Sequence, residues 1–202
     1  MNIRLGILTA LLLAAFGAAA KKYILPIEVV AAQADCIVVG EIVAVEAASY
    51  QFKVTDYVKG SGSRLLTVQQ FKEWTCDERY AKAAPGQRLF LFLQNHNNAL
   101  EIINGSTGEI PIVNNQLTLE HEPSNLQFGQ PFVPYTIGLA EFKTGIATFT
   151  HCFQLPKTAG NPYSRALVQT CGAKEVARFA ATSNFTRWLY RRINDRYTIT
   201  MR

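Results

Sequence analysis

The sequence predicts an α+β fold in which strands come first and helices follow. Three observations carry this: clean alternation of apolar and polar residues between Tyr50 and Lys59, a change to three-and-four spacing after Pro134, and four cysteines behind an apolar leader.

The leader comes first. Arg4 makes a short positive start, an apolar run extends from Leu5 to Ala20 with Leu11, Leu12 and Leu13 at its centre, and Ala18 and Ala20 supply the small residues of a cleavage site. Residues 1–20 are expected to be a signal peptide, removed after Ala20. The run is shorter than the ~20 apolar residues of a spanning helix, and nothing later in the chain is apolar for long enough.

The strands follow in order. Cys36 to Ala47 is rich in β-branched residues, and Gly40 in its middle suits a bulge. Between Tyr50 and Lys59, Tyr50, Phe52, Val54 and Val58 are expected on one face, with Gln51, Lys53, Thr55 and Lys59 on the other. Gly60-Ser61-Gly62-Ser63 turns the chain into a strand over Leu65 to Phe71. A short helix is expected around Arg79 to Ala84, stopped by Pro85-Gly86. Leu89 to Leu93 is apolar at every position, as a strand buried on both faces would be. Leu100 to Ile103 follows the Asn95–Asn98 turn, and Ile110–Val113 and Leu117–Leu119 flank Asn114-Asn115 as a hairpin.

Beyond Pro134 the stripe Leu139, Phe142, Ile146, Phe149 and Phe153 is that of an amphipathic helix. A loop from Pro156 to Pro162 ends it. A last helical region starts near Lys174 and restarts at Ser183 as N-cap, with Phe185, Trp188, Leu189 and Ile193 as its apolar face.

The phrases ADCIVVGEIVAV, YQFKVTDYVKG, LLTVQQF with WTC, GQRLFLFL and ALEIING occur in that order over roughly Ala31 to Ile103. Here the chain resembles the netrin-like OB-fold domain of tissue inhibitors of metalloproteinases and their relatives, most clearly at Ala34-Asp35 and Tyr50 to Gly60. The resemblance implies a five-stranded OB-like β-barrel. With an added hairpin, the barrel domain would span 21–130, and a helical C-terminal extension over 131–202 would pack on it. Those inhibitors carry a cysteine at the mature N-terminus that binds the target's zinc. Here the expected N-terminus is Lys21 and the first cysteine is Cys36, so the resemblance implies the fold's protein-binding use and not that contact.

Twenty Lys and Arg against fifteen Asp and Glu give a net charge of +5, unevenly placed: Lys174 to Arg202 holds seven basic and two acidic residues. Cys36, Cys76, Cys152 and Cys171 are an even set in a chain expected to be exported, which favours disulfides, and spacing alone leaves three connectivities open. The preferred pairing is Cys36–Cys76 with Cys152–Cys171, one staple per half. The alternative for Cys36 is a buried free thiol. No C-x-x-C spacing is present, which removes the signature of zinc ribbons and thioredoxin-like motifs.

Candidates for chemistry are few. His96 belongs to a polar turn. His121 lies between Glu120 and Glu122, where a metal or a base would suit, but strand neighbours face opposite ways. His151-Cys152 suggests a base and nucleophile, yet adjacent helical side chains diverge and an exported cysteine is usually oxidised. Glu73, Asp77 and Glu78 would serve as acid and base only if the loop gathered them. Tyr57 and Lys59, expected on the outward face of the second strand, are with Trp74 the residues a barrel would use to stack and hold an oligonucleotide or a sugar, and an exported chain has little access to nucleic acid. Arg187, Arg191, Arg192 and Arg196 edge the last helix as in a membrane-surface segment. Asn104-Gly105-Ser106 and Asn184-Phe185-Thr186 are glycosylation sequons. No catalytic, cofactor-binding or metal residue is assigned. The expectation is a secreted or periplasmic, non-enzymatic module whose partner is another protein, with peripheral membrane contact through the C-terminal helix. The alternatives are an envelope hydrolase with a His/carboxylate site, and a structural envelope component.

Overall fold

The computed structural model describes residues 22–119, 136–156 and 166–202. Residues 1–21, with the expected signal peptide, lie outside them, as do His121 and most of the Pro156–Pro162 loop.

Five strands close a barrel: β1 (Cys36–Val45), β2 (Ser49–Lys59), β3 (Leu65–Gln69), β4 (Arg88–His96) and β5 (Ala99–Ile102). Their order is β1-β2-β3-β5-β4, and β4 pairs back onto β1 from Cys36↔Leu93 to Glu41↔Arg88. Every seam is antiparallel except β3–β5, so the barrel is mixed and OB-like. The hairpin β6 (Glu109–Val113) and β7 (Gln116–Thr118) extends the sheet from β4, and β8 (Thr136–Gly138) adds to β7. Asn114 and Asn115 both adopt positive φ in the two-residue turn, the conformation that Asn tolerates better than other side chains.

The barrel interior holds Val38, Ile42, Tyr50, Phe52, Val54, Val68, Leu89, Leu91, Leu93 and Ile102. A second core lies outside the wall, where Ile37, Val39, Phe90 and Phe92 meet the helices. This is why Leu89 to Leu93 reads apolar throughout: leucines point in, phenylalanines point out. Each side chain withdrawn from water there contributes roughly 1.5–3 kcal/mol.

Gly40 sits at a bulge, where the β1–β2 register shifts between Val39 and Gly40. A Cβ there would overlap the Lys53 carbonyl oxygen and come within 2.8 Å of Phe52 Cε1. The shift also inverts the strand. Tyr57, expected to face outward, packs against the barrel interior, while Val58 packs against the outer core.

The helices cover one side of the wall. α1 (Ile27–Gln33), α2 (Leu139–Cys152), α3 (Ala173–Thr182) and α4 (Asn184–Arg196) are the α-helices of the described residues. Phe142 of α2 meets Phe90 edge-on at 4.9 Å between ring centroids and Phe185 of α4 at 5.1 Å. Ser183 caps α4 as expected, its Oγ accepting from Thr186 N at 3.2 Å while Thr186 Oγ1 accepts from Ser183 N at 2.9 Å.

Several elements depart from the sequence reading. α1 precedes the first strand and was not anticipated. The region after 131 also carries a small sheet, in which β10 (Ala166–Gln169) pairs antiparallel with β9 (Phe153–Gln154) and parallel with β11 (Thr198–Met201). No helix forms over Arg79 to Ala84, because Asp77 and Arg79 turn inward to separate partners and hold the backbone irregular.

The cysteines pair in part. Cys152 and Cys171 form a disulfide that ties the end of α2 to the start of α3, with Cα atoms 4.7 Å apart. The expected Cys36–Cys76 bond is absent and both thiols are free. Cys36 is held by the β1–β4 ladder opposite Leu93, beside Gly60. Cys76 is exposed in a tight Trp74–Asp77 turn that is anchored elsewhere, to Ser106. Two rigid hydrogen-bonded frames keep the sulfurs apart.

Candidate interaction surface

The chain from Gln70 to Gln87 has almost no regular structure, yet it is held from beneath at two points. The first is Arg79. Its Nη2 donates to Glu109 Oε2 at 3.0 Å and its Nη1 to Gln70 Oε1 at 2.8 Å, and Glu73 Oε1 lies 3.8 Å from Nε. The guanidinium lies over the Phe71 ring at 4.7 Å and the Tyr50 ring at 5.7 Å. Tyr50 donates its hydroxyl to the same Glu109 oxygen at 2.8 Å. Burial raises the Glu109 carboxyl above its usual range, and Arg79 and Tyr50 act against that shift. Burial, then the neighbouring Glu109 charge, also pushes the Tyr50 phenol up.

The second point is Asp77. Lys22 donates to Asp77 Oδ1 at 2.7 Å, both side chains being 8% exposed, and reaches Ser106 Oγ at 3.2 Å. Ser106 N donates to the same carboxylate at 3.0 Å. Gly105, with φ +55°, is required here, since a Cβ would run into Asp77. Asn104 completes the join, accepting from Leu25 N at 3.0 Å and donating to Tyr23 O at 3.0 Å. The segment 22–26, the loop 70–87 and the turn at 103–108 therefore form one hydrogen-bonded body.

This body presents aromatic side chains to solvent: Tyr80 is 64% exposed, Tyr23 59% and Trp74 37%. Beside Tyr80 a cleft of about 220 Å³ runs along β6, walled by Leu89, Pro111 and Val113, with Glu109 in its lining and Arg88 at its edge. A smaller recess of about 40 Å³ shares Tyr80, Glu109 and Pro111 and adds Ser106 and Leu119. Chemically, the arrangement offers apolar contact and hydrogen bonds around a neutralised acid.

The residues singled out in the sequence are scattered. His96 is exposed at the end of β4, its Nδ1 3.3 Å from Glu101 Oε1. His151 is exposed at the end of α2, its Nε2 4.0 Å from Glu175 Oε1, and lines neither cleft. His151, Cys171 and Glu175 bring ligand atoms within 4.8 Å of one another, but the Cys171 sulfur is bonded to Cys152 and offers no thiolate. Of the three acids near Cys76, Asp77 is committed to Lys22, Glu73 leans on Arg79, and Glu78 faces the small recess. Tyr57 donates to Ser63 O at 2.7 Å, and Lys59 Nζ to Ala31 O and Ala32 O at the end of α1, which removes both from an open stacking face.

Sequence reasoning missed Lys22, Arg79 and Glu109. One signal was there for Glu109: a single charge opening the otherwise apolar segment Ile110–Val113. Compared with protein-family models, curated proteins and solved structures, the chain matches none of them.

Proposed function

We propose that this chain is an exported, non-enzymatic protein-binding module of netrin-like type that grips its partner with the Arg79-pinned loop and the adjoining cleft. The observation that carries the reading is the pairing of rigidity with exposure. Trp74 and Tyr80 stand on a loop fixed from below by Arg79 and Asp77, next to an apolar channel. Trp and Tyr dominate the energetics of protein interfaces, and a loop ordered in advance loses little entropy on binding. The Cys152–Cys171 disulfide supports an oxidising destination.

The test is comparative capture. The tagged full chain is expressed in an exporting host beside Tyr80→Ser and Val113→Asp, both at exposed positions. A partner held by the wild type and lost from both variants, with unchanged melting temperatures, is the expected result. Equal retention by all three would overturn the reading, as would a turnover that depends on Glu109.

A further inference from the structure

The helical side of the molecule carries a second surface. In α4 the stripe Phe185, Trp188, Leu189 and Ile193 is buried in the core, so the helix cannot insert an apolar face into lipid. Its outward residues include Arg187 and Arg191, one turn apart, with Asp195 near its end. α3 shows Lys174 and Arg178 at the same spacing with Glu175 beside them, so the basic side chains outnumber the acidic ones by four to two. Arg192 is withdrawn from this set by Glu28. Arg187 donates to the uncharged Asn184 side chain, and among the described residues no carboxylate forms an ion pair with Lys174, Arg178, Arg187 or Arg191.

We infer that the α3–α4 face docks on the headgroup surface of an anionic phospholipid bilayer. The two clefts described above take no residue from these helices, and a row of exposed basic side chains fits an extended anionic surface. Guanidinium groups bind phosphate oxygens in a fixed fork, which suits a sheet of phosphodiesters. The attachment is electrostatic, reversible and weakened by salt as the screening length shortens.

The experiment is vesicle sedimentation with the full chain, using phosphatidylglycerol/phosphatidylcholine and pure phosphatidylcholine vesicles at low and high salt. The neutral vesicles subtract any contribution of the apolar Leu5–Ala20 run. Binding to the anionic vesicles is expected to exceed binding to neutral ones and to collapse in high salt. Arg187→Gln/Arg191→Gln should weaken it by roughly 25-fold, about fivefold per charge, with an unchanged melting temperature. Equal binding to both vesicle types, or equal binding by wild type and variant, would overturn the inference. Capture by polyglutamate but not by phosphatidylglycerol would overturn it too and assign the face to acidic protein.

Discussion

Glu28 and Arg192, 164 positions apart in the chain, meet at 2.7 Å in the buried seam between α1 and α4. The carboxylate is fully buried and also accepts from the Tyr197 hydroxyl at 3.0 Å, while the guanidinium lies 4.8 Å over the Trp188 ring. Breaking such a pair by removing one partner strands a charge in the core. Glu28→Leu is therefore expected to lower unfolding free energy by about 3–5 kcal/mol. Glu28→Leu/Arg192→Leu should recover much of that loss. Urea titration of both variants measures it, and a double variant no better than the single would show that packing, not charge, sets the cost.

Gly40→Ala tests the bulge. The added methyl must displace the Lys53 carbonyl or the buried Phe52 ring. A loss of about 2–4 kcal/mol is expected, whereas Gly86→Ala, with open space around it but φ +87°, should cost no more than about 1–2 kcal/mol.

Glu109 gives the fold a pH dependence of defined sign. Its folded pKa lies above the ordinary value of 4.5, so between the two the native state holds the proton more firmly than the unfolded chain. This contribution is present at acid pH and lost as pH rises through the folded pKa. Relative to Glu109→Gln, the wild type should lose stability as pH climbs from 4.5. In Arg79→Leu the opposing cation is gone, and the decline should extend to higher pH. Chemical denaturation from pH 4 to 8 follows both trends.

The two free thiols should separate kinetically. Cys76 is exposed and should be alkylated first. Burial, then the Asp35 charge, pushes the Cys36 thiol up to about 11, so its thiolate is scarce at neutral pH and its alkylation should accelerate as pH approaches that value. Timed iodoacetamide labelling with peptide mass analysis reads the order. Equal rates at pH 8 would contradict it.

How much of this was legible beforehand depends on the range of the interaction. Strand periodicity in Tyr50–Val54, the all-apolar Leu89–Leu93, the Asn114-Asn115 hairpin and the Ser183 cap are local patterns, and each is found where the sequence put it. The flip at Tyr57 was hidden because a bulge changes parity without changing composition. α1 was hidden because Ile27, Val29 and Val30 read as strand formers. The expected Cys36–Cys76 staple failed because sequence separation says nothing of which frame holds each sulfur. The interaction surface was least visible of all. Lys22–Asp77 and Arg79–Glu109 join residues 55 and 30 positions apart, and no local pattern encodes either pairing.

The parallel pairing of β10 with β11 has a temporal consequence. The strand Thr198–Met201 pairs with a segment made 32 positions earlier, Ala166 facing Thr198, and the countercharge of Glu28 emerges 164 positions after it. A growing chain therefore carries α1 with the Glu28 acid uncompensated until α4 has been made. The wall at Phe90 and Phe92 waits less long, because Phe142 of α2 packs on both rings. Closing the Glu28–Arg192 seam is thus a contact of very long sequence range, of the kind whose loop-closure entropy slows folding.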